Sequence, residues 1–325
     1  MIIDAHAHFV PQALLDAAAA QRSFPSVKVI NENGGVRFAF AGQEAKRPVP
    51  AGMSDVERRH RWLGDRGIDK QVVGGWLDMF GYDLPPEEGL EWSRFLNAHM
   101  LKATAEIPFL VPLATVPMQS GKFAAQVLEE ALDAGFHGAM IGTQPKGASG
   151  VLDDPDLEPF WEVASARKAA LFVHPTFGAR DDRLKAYGLV SAVGRVTDTT
   201  LAVARLLYSG HLVRHPGVNL VISHGGAALP MIFGRLKRSF ATAPAQNADP
   251  APGFHKLYFD SVVYDASTIG FIRDVAGADH VVMGTDEPFA IAEQQPVKLI
   301  DACGFDAADR AAITGGTAAA LFGIS

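Results

Sequence analysis

The sequence predicts an α/β protein built as a parallel (β/α)8 TIM barrel, with a small β-hairpin inserted near residues 25–50. Two observations carry this reading. Eight short apolar segments alternate with longer amphipathic ones, the rhythm of repeated βα units. The apolar segments are close to continuous, as strands covered on both faces require. The 325 residues are 48% hydrophobic and 20% charged, which supplies the core such a barrel needs. Barrels of this length commonly form one unit, so a single domain over 1–325 is expected, its insertion spanning about 20–60.

The first strand covers Ile3–His8. Ile2 and Ile3 are β-branched and apolar, which favours a buried strand almost at the N-terminus. Residues two apart on a strand share a face, so His6 and His8 project side by side. After Phe9-Val10-Pro11 a short helix runs through Leu14–Ala20. Residues 27–40 alternate around the turn signal Asn33-Gly34-Gly35, a hairpin expected to lie over the barrel mouth. Lys46-Arg47-Pro48 leads from it to a polar helix over Ser54–Arg66. The other strands are Gln71–Gly75, Leu110–Ala114, Gly138–Ile141, Ala170–His174, Asn219–Ser223, Leu257–Asp260 and His280–Gly284. Glu88–Ile107, Phe123–Ala134, Leu157–Arg167 and Ala204–Ser209 read as helices between them. Ala307–Leu321 closes the chain as a helix interrupted at Gly315-Gly316.

Composition narrows the function. The formal charge is −7 and no basic run stands out, which argues against nucleic acid as a partner. Asp4 and His6 break any leader-like apolar run, and no uninterrupted apolar stretch of about 18 residues exists to span a bilayer. The one cysteine, Cys303, forms no internal disulfide, suits a reducing cytoplasm and reads as a small buried hydrophobe.

The strand ends hold the chemistry, because barrels of this kind place functional groups where strands pass into loops. The first strand ends in His6 and His8, the fifth in His174, the sixth in His224 and the eighth in Asp286. A lone histidine is usually a satisfied core residue; four of them and an aspartate at one rim make a site. His6, His8, His174 and Asp286 suffice for one divalent metal. Three imidazoles and a carboxylate suit Zn²⁺, with Mn²⁺ or Fe²⁺ accommodated by the same set. No lysine follows the fourth strand in a place to bridge two metals, Lys146 lying too far into its loop, so the site is read as mononuclear. His224 is then free to act as general acid or base, and Gly225-Gly226 are expected to let backbone approach the substrate there.

His-x-His at the start, His174-Pro175, His224-Gly225-Gly226 and Gly284-Thr285-Asp286-Glu287-Pro288-Phe289 resemble the amidohydrolase superfamily. More narrowly they resemble the branch of 2-amino-3-carboxymuconate-6-semialdehyde decarboxylase and related aromatic-acid decarboxylases. Arg47-Pro48-Val49, Met79-Phe80-Gly81-Tyr82 and Gly234-Arg235 extend the likeness over nearly the whole chain. The resemblance implies metal binding by His6, His8, His174 and Asp286, with His224 and Asp286 as the catalytic pair. It also implies that Arg47 grips a substrate carboxylate and that Arg235 does so from a neighbouring subunit of a homodimer. A guanidinium fork fits a carboxylate in a way an ammonium does not. Trp76, Met79, Phe80, Phe177 and Phe289, with Tyr82, are candidates for an apolar slot that takes a flat ring or diene.

Two departures stand out: Thr176 follows His-Pro where the branch commonly has Trp, and Glu287 follows the aspartate where it commonly has Tyr. Glu287 is expected to oppose an anionic substrate. The leading expectation is therefore a metal-dependent, non-oxidative decarboxylase of an aromatic or muconate-like acid. The alternatives are a hydrolase of C–C or C–N bonds or a hydratase using the same site, and a barrel that binds metal without catalysis.

Overall fold

The protein, seen in a computed structural model, is described over residues 1–32, 35–147, 149–179 and 181–325. Its strands are β1 (Ile3–His8), β2 (Val27–Glu32), β3 (Gly35–Phe40), β4 (Lys70–Gly74), β5 (Leu110–Pro112), β6 (Ala114–Thr115), β7 (Ala139–Gly142), β8 (Ala170–His174), β9 (Asn219–Ile222), β10 (Leu257–Asp260) and β11 (Val281–Val282). All but β2 and β3 belong to the barrel, and every barrel pairing is parallel.

Two seams explain how this set makes an eight-membered ring. The third barrel strand is split at Leu113, whose amide donates to Val73 O, while Ala114 N donates to Gly138 O on the other side, both at 2.9 Å. β5 and β6 are thus one barrel position shared between β4 and β7. Closure runs between β1 and the chain leaving β11: Ala5 N to Met283 O, Asp286 N to His6 O and His8 N to Glu287 O, each at 2.8 Å. The eighth strand therefore continues beyond Val282 to carry Asp286 to the rim. Every residue of β1, β7 and β8 is buried; β7 and β8 are apolar up to His174, whereas β1 buries Asp4, His6 and His8 among its apolar residues.

The helices between strands mostly sit where the sequence places them: Pro86–Ala105, Gly121–Ala134 and Glu158–Ala166. One is longer than its periodicity predicts. The expected helix Ala204–Ser209 is the end of a helix over Arg195–Tyr208, entered through a π turn at Val190–Gly194. Its first turns hide their periodicity because buried positions there are polar: Thr199 is fully buried, and Asp198 accepts from Gln144 Nε2 at 2.8 Å.

The inserted hairpin pairs Val27 with Phe40 through Glu32 with Gly35. Its turn signal at Asn33-Gly34 lies outside the described residues. Phe38 and Phe40 pack with Leu14, Trp92 and Leu96 into a second core beside that of the barrel, and the chain leaving it brings Lys46 and Arg47 to the rim. At the far end, Gly315 is required by close approach, since a Cβ there would lie 2.2 Å from Met1 O. Among the described residues no helix is long and apolar enough to cross a membrane.

Candidate metal centre and active-site chamber

The four proposed ligands converge. Asp286 Oδ1 lies 3.4 Å from His6 Nε2, 3.2 Å from His8 Nε2 and 4.0 Å from His174 Nε2. Bonds of about 2.1 Å in a tetrahedron place neighbouring ligand atoms about 3.4 Å apart, so the spacing suits a metal ion. The other ring nitrogen of each histidine is already committed. His6 Nδ1 lies 2.6 Å from Asp260 Oδ2, His8 Nδ1 3.0 Å from Gly75 O, and His174 Nδ1 3.1 Å from Pro175 O. Each Nδ1 therefore carries a proton, which leaves the Nε2 of each neutral ring to present its lone pair inward.

Those three Nε2 atoms and Asp286 Oδ1 are buried without a hydrogen-bond partner among the described residues. Leaving four polar atoms so is costly unless something fills the space between them. Electrostatics identify what. Burial disfavours charge on His6, but Asp286 and Asp260 outweigh it and push the imidazole up to about 10. Burial holds His8 below its ordinary value and His174 well below it. Burial also works against the Asp286 carboxylate, yet His6, His224 and His8 keep it ionised, well below the usual range. The centre attracts positive charge and holds two neutral imidazoles ready, and its donor set fits one divalent cation.

His224 stands next to this set, its ring centroid 5.1 Å from that of His174 and its Nε2 3.6 Å from Asp286 Oδ2. Its position depends on Asp260, a strand end to which the sequence alone assigns no role. Asp260 Oδ2 accepts from His6 Nδ1 and from His224 N, the latter at 2.9 Å, while Oδ1 accepts from Gly225 N at 2.7 Å and Val262 N at 3.0 Å. One carboxylate thus orients a candidate ligand and the candidate proton carrier. Beneath the rim, Asp4 accepts from Gln71 Nε2 and Thr285 Oγ1, and buried Arg59 donates to Gln71 Oε1 and His8 O. This network ties β1, β4 and the eighth strand together.

The backbone is strained at the same place. His224, Ala227, Tyr264 and Asp286 all have φ between 56° and 64°, and all four line one chamber of about 420 Å³. Non-glycine residues in that conformation concentrate at functional sites. Gly225 and Gly226 have a different purpose from the one expected. Added Cβ atoms would lie 2.3 Å from Val263 Cγ1 and from Phe259 Cδ1, so these glycines accommodate packing against protein rather than substrate.

The chamber walls include Arg47, Arg195, Val262, Val263 and Phe289, and a second hollow of about 460 Å³ adjoins it. Phe177 and Thr176 line that outer hollow. Trp76, Met79 and Phe80 line neither; they border a narrow void of about 20 Å³ among Phe9, Leu14 and Leu96, with Trp76 backing the Arg47 guanidinium at 5.6 Å. Arg47 is bidentate to buried Asp78, with Nε at 2.9 Å and Nη2 at 3.2 Å, leaving Nη1 free of that pair. Arg235 is exposed on the helix Leu229–Thr242 and does not line either hollow of its own chain. Glu287 departs from expectation: it is 1% exposed, pairs with Arg58, and lines neither hollow, so its charge is not presented to a ligand.

Glu158, His211 and His215 form another cluster of metal-ligating residue types. Arg214 Nη2 donates to His211 Nδ1 at 2.9 Å, which puts the ring proton on Nε2, and His215 Nε2 bonds Glu158 Oε1 at 2.9 Å. That arrangement is a hydrogen-bonded network with no imidazole lone pair turned toward Glu158.

Comparisons with known proteins agree with the geometry. The family model described as Amidohydrolase matches residues 3–324. The 2-amino-3-carboxymuconate-6-semialdehyde decarboxylase of Dictyostelium discoideum is 30% identical over 286 residues, covering 86% of this chain and 79% of that protein. The solved 5-carboxyvanillate decarboxylase of Sphingomonas paucimobilis superimposes with a TM-score of 0.81 at 22% identity, covering 100% of this chain and 99% of the other. A manganese-bound dihydroxybenzoic acid decarboxylase from a Polaromonas species gives 0.79 at 20% identity, with 99% and 97% covered. At these identities the two structures establish likeness of fold.

Proposed function

Because the chain belongs to the amidohydrolase family, we propose that it is a metal-dependent, non-oxidative decarboxylase of an aromatic or conjugated carboxylic acid. The observation that carries the proposal is the inward-facing set of unpartnered His6, His8, His174 and Asp286 atoms with His224 at its side. Held by those four residues, a divalent cation supplies charge stabilisation at the rim. The nitrogen-rich donor set favours Zn²⁺, and the manganese-bound fold relative keeps Mn²⁺ as the second choice.

The chain's own groups divide the work. His224 Nε2, steadied by Asp286 Oδ2, delivers a proton to the carbon that bears the carboxylate. The bond from that carbon to the carboxylate then breaks, CO₂ departs, and the bonding pair remains with the carbon skeleton. Val262, Val263 and Phe289 provide apolar walls for a flat substrate, and Arg47 offers its free Nη1 to an acidic substituent. The homodimer belongs to the same proposal. Met231, 73% exposed, lies one turn from Arg235 on the same helix face, which gives Arg235 an apolar neighbour around which a partner would pack.

The test is CO₂ release by metal-loaded protein over a panel of hydroxy-, amino- and carboxy-substituted aromatic and muconate acids, with and without chelator. In deuterated water the product carries deuterium on carbon; solvent oxygen in the product would instead indicate hydrolysis or hydration. His224→Ala is expected to keep its metal and lose turnover by at least about 100-fold. Retained turnover in that variant overturns the role of His224.

A further inference from the structure

Arg195 has no place in the chemistry described so far, and its surroundings ask for one. It begins the helix Arg195–Tyr208 directly after the π turn Val190–Gly194, and widened turns of that kind commonly mark functional sites. Ser191, Ala192, Arg195 and Val196 face the inner chamber from this segment, beside His224 and Asp286. The guanidinium Nε is buried without a hydrogen-bond partner, and Arg195 has no salt-bridge partner among the described residues. None of the four residues outside the description is a carboxylate.

Every other charge around the two hollows is answered. Lys46 is 3.1 Å from Asp83, Arg47 is bidentate to Asp78, and Asp286 faces the histidines. Burial lowers the Arg195 pKa from its ordinary value, with Arg47 nearby adding to the effect and Asp78 and Asp286 only partly opposing it, so the cation is held there at a cost. A largely buried guanidinium without a carboxylate is uncommon unless a ligand supplies the anion.

Its position says which part of the ligand that is. Arg47, Ser191 and Arg195 line both hollows, so they mark where the inner chamber opens into the outer one. A substrate whose reacting carbon sits at His224 reaches this boundary with its opposite end. We propose that Arg195 seats a second carboxylate of the substrate, remote from the one that is lost. The preferred substrate is then a flat dicarboxylic acid, its two acidic ends separated by an apolar spacer against Phe289 and Val263. This rests on the decarboxylase reading for the word substrate, but the anion seat itself does not depend on turnover.

The experiment is calorimetric titration of the metal-loaded protein with isophthalate and with benzoate, for the parent, Arg195→Met and Arg195→Lys. The parent is expected to bind isophthalate at least about tenfold more tightly than benzoate, the value of a charged hydrogen bond. Arg195→Met removes that preference and leaves benzoate binding within about twofold, while Arg195→Lys retains part of it because the charge remains but the fork is lost. Thermal melts of the variants establish that they are folded. Equal binding of both probes by the parent, equal loss of both in Arg195→Met, or an unaltered preference in that variant each overturns the assignment. Arg195-dependent isophthalate binding with no CO₂ from any acid would remove the decarboxylase reading and keep the anion seat. CO₂ release without the preference would do the reverse.

Discussion

Arg58→Met tests how the loop that presents Asp286 is held. Glu287, the next residue, is 1% exposed and pairs with Arg58, which is 40% exposed on the helix Val56–Gly64. Methionine keeps the length and apolar stem of the arginine and removes its charge. A buried ion pair broken from one side costs about 3–5 kcal/mol, because the surviving charge is stranded. Here Arg58 is partly solvated, and Arg59 lies close enough for Glu287 to favour its charged form, so about 2 kcal/mol is expected. Glu287→Gln should be milder, since the charge it leaves behind, on Arg58, is partly solvated. The double variant should recover most of the loss, a coupling of about 1–2 kcal/mol. Urea unfolding of the metal-free protein at neutral pH measures all four corners of this cycle. If Arg58→Met stays within about 0.5 kcal/mol of the parent, the pair does not hold the loop. The same conclusion follows if the double variant recovers nothing.

Two more predictions follow from neighbouring groups. In Asp260→Asn, one of two oxygens that each accept two donors becomes a donor itself, so metal affinity should fall about 10- to 100-fold in a chelator competition; an unchanged affinity would show that Asp260 does not orient His6. His211, buried and beside Arg214, has its pKa lowered from 6.5 to about 4 in the folded protein. The unfolded chain therefore takes up this proton first on acidification, and the stability present above pH 6.5 is lost as pH falls toward 4, by about 2–3 kcal/mol. His211→Gln should flatten that part of the stability–pH curve, and an undiminished slope would assign the effect to other groups.

The barrel was legible because it depends on local features. Short apolar runs of the right length and amphipathic stretches of helical period need only nearby residues to be recognised, and the helix at Arg195–Tyr208 is hidden where buried Asp198 and Thr199 break that period. The split of the third strand at Leu113 left no such mark, since it arises from which neighbour each amide faces. Gly225 and Gly226 announced an unusual backbone but not its purpose, because Val263 and Phe259 come to them from another part of the chain.

By itself the sequence determined the grouping of His6, His8, His174, His224 and Asp286. They stand at the ends of four strands, His6 and His8 sharing the first, and parallel strands in a ring bring all such ends to one rim. Only the tertiary structure decided what supports and surrounds that group. Asp260 reaches His6 across 254 residues, Arg58 meets Glu287 across 229, and packing leaves Arg195 without a partner among the described residues. A strand end is a local property of the chain, whereas the pairing or isolation of a charge is settled only when distant segments have been packed together.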